Sequence, residues 1–105
     1  EAYFSFVKFK AIKAWKKHAR MSMNLVVPVG LVRFVFYNET NQDFIIHEIG
    51  ESNYMRLFVP PNIWFGFQGI DSGPSLVSNI ADILHDPKEV DRRLPKEIEY
   101  NWELI

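Results

Sequence analysis

From Val7 onward the sequence alternates. Val7, Phe9 and Ala11 are interleaved with Lys8 and Lys10; then Ile12, Ala14, Lys16 and His18 share one face and Lys13, Trp15 and Lys17 the other. Period two is the side-chain repeat of a β-strand, so one strand is predicted to run from Val7 to His18. Further strands are predicted over residues 24–27, 31–37, 44–49, 55–59, 63–68 and 75–81. The connectors at 28–30, 38–42, 50–53, 60–62 and 71–74 carry Pro, Gly, Asn or Asp where the chain must turn. Short strands at this spacing predict an all-β sandwich or barrel. The stretch Asp86-Pro87-Lys88-Glu89-Val90 predicts a short C-terminal helix, with Asp86 as cap and Pro87 at its first position. No internal repeat is present.

A chain of 105 residues predicts a single domain spanning residues 1–105, small enough that burying a further surface in a homodimer would stabilise it. It contains no Cys, which removes disulfides and thiol chemistry and fits a reducing, cytoplasmic setting. No apolar run approaches the roughly 18 residues a membrane helix needs, so no membrane partner is expected. The sequence opens at Glu1 inside an apolar pattern, which predicts further residues upstream. Net charge is −1, yet no Asp or Glu occurs from Ala2 through Asn38, a stretch that holds Lys8, Lys10, Lys13, Lys16, Lys17, Arg20 and Arg33. Two readings stand: a basic surface for phosphate, or solvated strand faces whose partners carry the acids. Aromatics alternate with lysines as strand residues do and no nucleic-acid-binding motif is present, so no nucleic acid partner is expected.

The segment Arg56-Leu57-Phe58-Val59-Pro60-Pro61-Asn62-Ile63-Trp64-Phe65-Gly66-Phe67 resembles the second signature of a cupin, in which Pro, any residue, Gly, two residues and His follow in order. Asn62 takes the Gly position, and Asn is the best non-glycine residue for a backbone at positive φ. Phe65 takes the position of the metal-binding His. Counting back from Gly30 in Val27-Pro28-Val29-Gly30, the first cupin signature sets its Glu at Met23 and its two His at Lys16 and His18. Of the implied ligands only His18 remains. Lys, Met and Phe cannot hold a divalent ion, so no metal and no other cofactor is expected.

A closer resemblance covers most of the chain from Ile12 onward. The stretches Lys13-Ala14-Trp15-Lys16-Lys17-His18, Asn24 through Gly30, Arg56 through Gly69, Pro74 through Asp82, His85 through Asp91, Arg93-Leu94-Pro95 and Ile98-Glu99-Tyr100-Asn101-Trp102 together resemble the dTDP-4-dehydrorhamnose 3,5-epimerase family. This resemblance implies a cupin-type jelly-roll homodimer, a metal-free site inside the barrel, and a dTDP-linked 4-keto-6-deoxy sugar of bacterial surface polysaccharide as ligand. It implies a His that removes the proton next to the ketone, a Tyr that protonates the enolate from the far side, and cations that hold negative charge. Position by position, the base His falls at Lys16, its Arg at Lys13, the enolate-stabilising Lys at Met23 and a further His at Phe65. No Tyr lies between Leu76 and Leu84, and the Asp that orients the base would lie beyond Ile105. Related 3,4-ketoisomerases use a His-x-His element whose second His matches His18.

The resemblance therefore points to Lys16 and His18 as catalytic residues and to Lys13, Arg56 and Phe65 as substrate-binding ones. It implies either an epimerase or isomerase with altered catalytic groups, or a non-catalytic sugar-nucleotide-binding cupin. Each residue also has a plainer reading. Lys16 and His18 suit the polar mouth of a barrel, and Arg56 a charge-paired strand residue. Trp64 and Phe67 suit core or dimer packing, His47 an exposed strand, His85 a loop or helix cap, and Met21 and Met23 apolar filling. Tyr54 and Tyr100 are acids only if folding brings them to the barrel mouth.

Overall fold

The computed structural model describes residues 1–103. Among these residues nine strands form: β1 Ala2–Val7, β2 Ile12–His18, β3 Met23–Val29, β4 Leu31–Asn38, β5 Asp43–Gly50, β6 Leu57–Val59, β7 Trp64–Gly69, β8 Ser75–Ala81 and β9 Val90–Arg92. Every strand pairing is antiparallel. A four-stranded sheet, β1-β8-β3-β6, faces a five-stranded sheet, β5-β4-β7-β2-β9. The helical content is two single turns of 3-10 helix, Pro87–Glu89 and Pro95–Glu97. Among the described residues no helix is long and apolar enough to cross a membrane.

Two departures from the sequence reading matter for the site. The alternation from Val7 to His18 is not one strand: β1 ends at Val7 and β2 begins at Ile12, with Lys10 between them at φ 65°. β1 then lies in one sheet and β2 in the other, so an unbroken strand is excluded by the sheets they join. The expected C-terminal helix is a single 3-10 turn. Asp86 does cap it, its Oδ1 accepting from the Lys88 N–H at 3.0 Å, but Val90 is already extended and opens β9.

The core between the sheets is built from the inward residues of alternating strands. Val32, Phe34 and Phe36 of β4 meet Leu25 and Val27 of β3 and Val77 of β8. Each such side chain contributes about 1.5–3 kcal/mol when fully withdrawn from water. The outer face of the five-stranded sheet is covered as well: Trp15, Val35 and Trp64 pack against Ile98 and Trp102 of the C-terminal segment. Gly30 joins β3 directly to β4 at φ 85°, where a Cβ would meet Ser75 Oγ at 2.1 Å. Asn62 stands at φ 67°, as its place in the turn required, and its N–H donates to the His18 carbonyl at 2.7 Å.

Candidate active site

β2 carries an irregularity that decides which of its side chains face the core. Ala14 pairs with Gly66 but Lys16 pairs with Phe65, so Trp15 is one residue more than β7 can match. A bulge of this kind shifts the phase of alternation and re-aims the side chains beyond it. Ala14 and Trp15 both pack on the outer cluster, while Lys13, exposed and opposite Phe67, and Lys16, half-buried and opposite Phe65, both line the cavity. Simple alternation sets Lys13 on the face opposite Lys16; the bulge brings it to the same one.

A cavity of 920 Å³ opens between the sheets. On the β2 side it is lined by Lys13, Lys16, His18 and Phe65, joined by Arg92 of β9, which pairs with Lys16 across the ladder. The wall from the other sheet is uncharged, with Met23, Leu25, Val77 and Asn79. The four positions where a cupin would carry metal ligands, Lys16, His18, Met23 and Phe65, thus converge on one space. Among the described residues no group of three or more His, Cys, Asp or Glu is placed to hold a metal ion.

His18 is the most constrained polar group here. The residue is 9% exposed, and its ring stacks on Phe65 with centroids 5.9 Å apart and hydrogen bonds through Nδ1 to Glu89 Oε2 at 2.5 Å. The other carboxylate oxygen, Oε1, accepts from the backbone N–H groups of Arg20 and Met21 at 3.0 and 2.9 Å. Burial pushes the Glu89 carboxyl up, but the His18 hydrogen bond and the two backbone donors outweigh it and hold it below its ordinary 4.5. An ionised carboxylate only accepts, so Nδ1 carries a hydrogen, and in the neutral ring the lone pair is then on Nε2. Lys16 is half-buried. Burial first, then the charges of Arg92 and Lys13, lower its ammonium from the ordinary 10.5.

No family model matches the chain. It is 28% identical over 101 residues to the probable low-salt glycan biosynthesis epimerase Agl13 of Haloferax volcanii, an alignment covering 90% of this chain and 65% of that protein. The chain therefore spans just under two thirds of this curated relative. The crystal structure of a dTDP sugar isomerase from Desulfovibrio desulfuricans G20 matches the whole chain with a TM-score of 0.92 and 34% identity, and the chain covers 72% of that protein. The chain belongs to the dTDP-sugar isomerase and dTDP-4-dehydrorhamnose 3,5-epimerase family. A dTDP-4-dehydrorhamnose 3,5-epimerase from Sulfolobus tokodaii shares the fold at a TM-score of 0.81 and 18% identity, over 95% of this chain and 61% of that one.

Within that family frame, Lys13, Lys16, His18 and Phe65 are brought together, and Arg56 is not. Arg56 is exposed in the segment before β6 and does not line the cavity. Tyr54 is 69% exposed, and Tyr100 packs against Trp15 and Trp102 outside the sheet, and neither lines the cavity. His47 is an exposed β5 residue. Glu89 and Arg92 are site residues that alternation and motif spacing do not find. The carboxylate partner of His18 lies 71 positions away, in a stretch that reads only as a capped turn. Its one local signal is an acid next to Val90, which pairs with His18 once β9 forms.

Proposed function

We propose that this chain is an epimerase or isomerase acting on a dTDP-linked 4-keto-6-deoxy sugar in surface-glycan biosynthesis. In this reading it is a single cupin-type jelly-roll domain that works as a homodimer. The observation that carries the proposal is the buried His18–Glu89 pair set against a cavity whose same wall holds Lys13, Lys16 and Arg92. His18 Nε2 removes the proton on the carbon next to the ketone. Glu89 fixes the tautomer and stabilises the imidazolium that results. Lys16 meets the oxygen on which negative charge develops, and Lys13 and Arg92 offer cations to the diphosphate. A pocket of this volume accommodates a nucleotide-linked sugar. A homodimer is supported by the outer face of the four-stranded sheet, where Phe4, Phe6, Phe58 and Ile80 are 56–68% exposed, whereas the chain covers its other sheet itself.

A mere binding module has no need of a buried, carboxylate-oriented imidazole. The test is proton NMR of dTDP-4-keto-6-deoxyglucose incubated with the protein in deuterated water. The parent protein washes out the signal beside the ketone, and His18→Asn slows this by about 10²–10⁴-fold while still binding the nucleotide sugar. Binding without wash-out in the parent protein leaves a sugar-nucleotide receptor instead.

A further inference from the structure

We infer that His85 is a second catalytic residue, the proton donor that faces His18 from the other side of the cavity and makes the reaction an inversion of configuration. This inference rests on the function proposed above and names the stereochemistry of that same site. His18 sits on the five-stranded sheet, whereas His85 stands in the loop that leaves β8 of the four-stranded sheet after Ala81, and both line the cavity. Epimerisation at a carbon beside a ketone needs a base on one face of the enolate and an acid on the other. The β2 wall holds the base together with Lys13, Lys16 and Arg92, all on the same side. On the opposite wall, Met23, Leu25, Val77 and Asn79 have no proton to give at neutral pH.

Two cavity-lining residues outside the β2 wall have a phenol or imidazole side chain that can donate a proton, Tyr3 of β1 and His85. Tyr3 Oη is closed off from solvent. The Glu1 carboxylate beside it, followed by burial, pushes this phenol up to about 12. His85 is exposed, so it can be reprotonated by water after each turnover. It is also held in place. Asp82 Oδ1 accepts from the Ser22 N–H at 2.8 Å, and Asp86 Oδ2 from the Arg20 guanidinium at 2.8 Å. These contacts tie residues 82–86 to the segment that follows His18. The same excursion of chain then supplies Glu89, so one loop both orients the base and presents the acid.

The proton balance closes. The C–H bond breaks toward His18 Nε2 and leaves an enolate. The enolate collapses back to the ketone as a new C–H bond forms on the opposite face, with the proton taken from the His85 imidazolium. His18 releases its proton to water and His85 recovers one, with no net change.

The experiment follows dTDP-4-keto-6-deoxyglucose in deuterated water with the parent protein, His85→Gln and His18→Asn, reading deuterium entry and the epimeric product separately. His85→Gln is expected to keep deuterium entry within about threefold of the parent while forming inverted product about 100-fold more slowly, a split that a merely structural role does not produce. His18→Asn is expected to lose both. Inverted product at the parent rate from His85→Gln overturns the inference, as does loss of both readouts in that variant. A parent protein that exchanges but never inverts also overturns it, while leaving the proposed function standing. A parent protein that does neither overturns both.

Discussion

The His18 imidazole meets the cavity with one edge already committed. Glu89 accepts from three donors, Nδ1 of His18 and the N–H groups of Arg20 and Met21, so its charge is satisfied although only 5% of the residue is exposed. Lys16 is the contrasting case, a cation kept half-buried beside Arg92 and Lys13 that forms no ion pair among the described residues. A lysine held below its ordinary range costs folding stability as long as it must stay charged. That cost is fully present below the lowered folded value and is relieved as pH rises from it toward 10.5. Thermal melts at neutral and alkaline pH should therefore show Lys16→Met raising Tm at pH 7 and erasing part of the parent's gain in Tm at higher pH. On the proposed function, the same variant should slow deuterium exchange into the keto sugar by about 10²-fold, because the enolate would lose its cation.

Elements place these residues, and the bulge in β2 is the one that matters most. It needs Gly66 opposite: a Cβ there would meet Ala14 Cβ at 2.7 Å and the rings of Trp15 and Trp102 at 3.2 Å. Gly66→Ala should cost about 1–3 kcal/mol in denaturant unfolding and weaken binding of the nucleotide sugar, because Lys13 and Lys16 take their direction from this pairing. A stability within a few tenths of the parent's would show that the bulge tolerates the methyl. Much of this layer is legible in the sequence. The Pro, Gly and Asn connectors mark the starts of β4 and β5, and the reading of Asn62 as a positive-φ residue follows from its place in the turn. The break at residues 8–11 is not legible, because Lys8 and Lys10 continue the alternation on either side of it. Nor is β9, whose three residues carry no periodicity and exist as a strand only because β2 offers an edge. The pairing of Glu89 with His18 depends on that edge and is hidden for the same reason.

Across the whole molecule, the acid-free stretch from Ala2 to Asn38 divides between the two readings its charge allowed. Lys17 pairs with Glu39, Arg20 with Asp86 and Arg33 with Glu48, each acid supplied from beyond the stretch. Lys13 and Lys16 instead line the cavity and give one wall of it its charge. The exposed Arg20–Asp86 pair contributes little to stability, whereas cations that line a cavity select an anionic ligand. The basic wall, the neutral wall facing it and the loop from β8 that carries both His85 and Glu89 form one arrangement, whose centre is the oriented imidazole. Replacing Glu89 by Gln keeps an acceptor for the Arg20 and Met21 N–H groups but turns an amide N–H toward Nδ1, which moves the imidazole hydrogen to Nε2 and removes the base. The decisive measurement is the rate of deuterium entry beside the ketone of dTDP-4-keto-6-deoxyglucose for Glu89→Gln against the parent protein. A fall of about 10²–10⁴-fold, with nucleotide-sugar Kd within about threefold of the parent's, is the predicted result. An unchanged rate of deuterium entry would contradict the assignment of His18, held by Glu89, as the base.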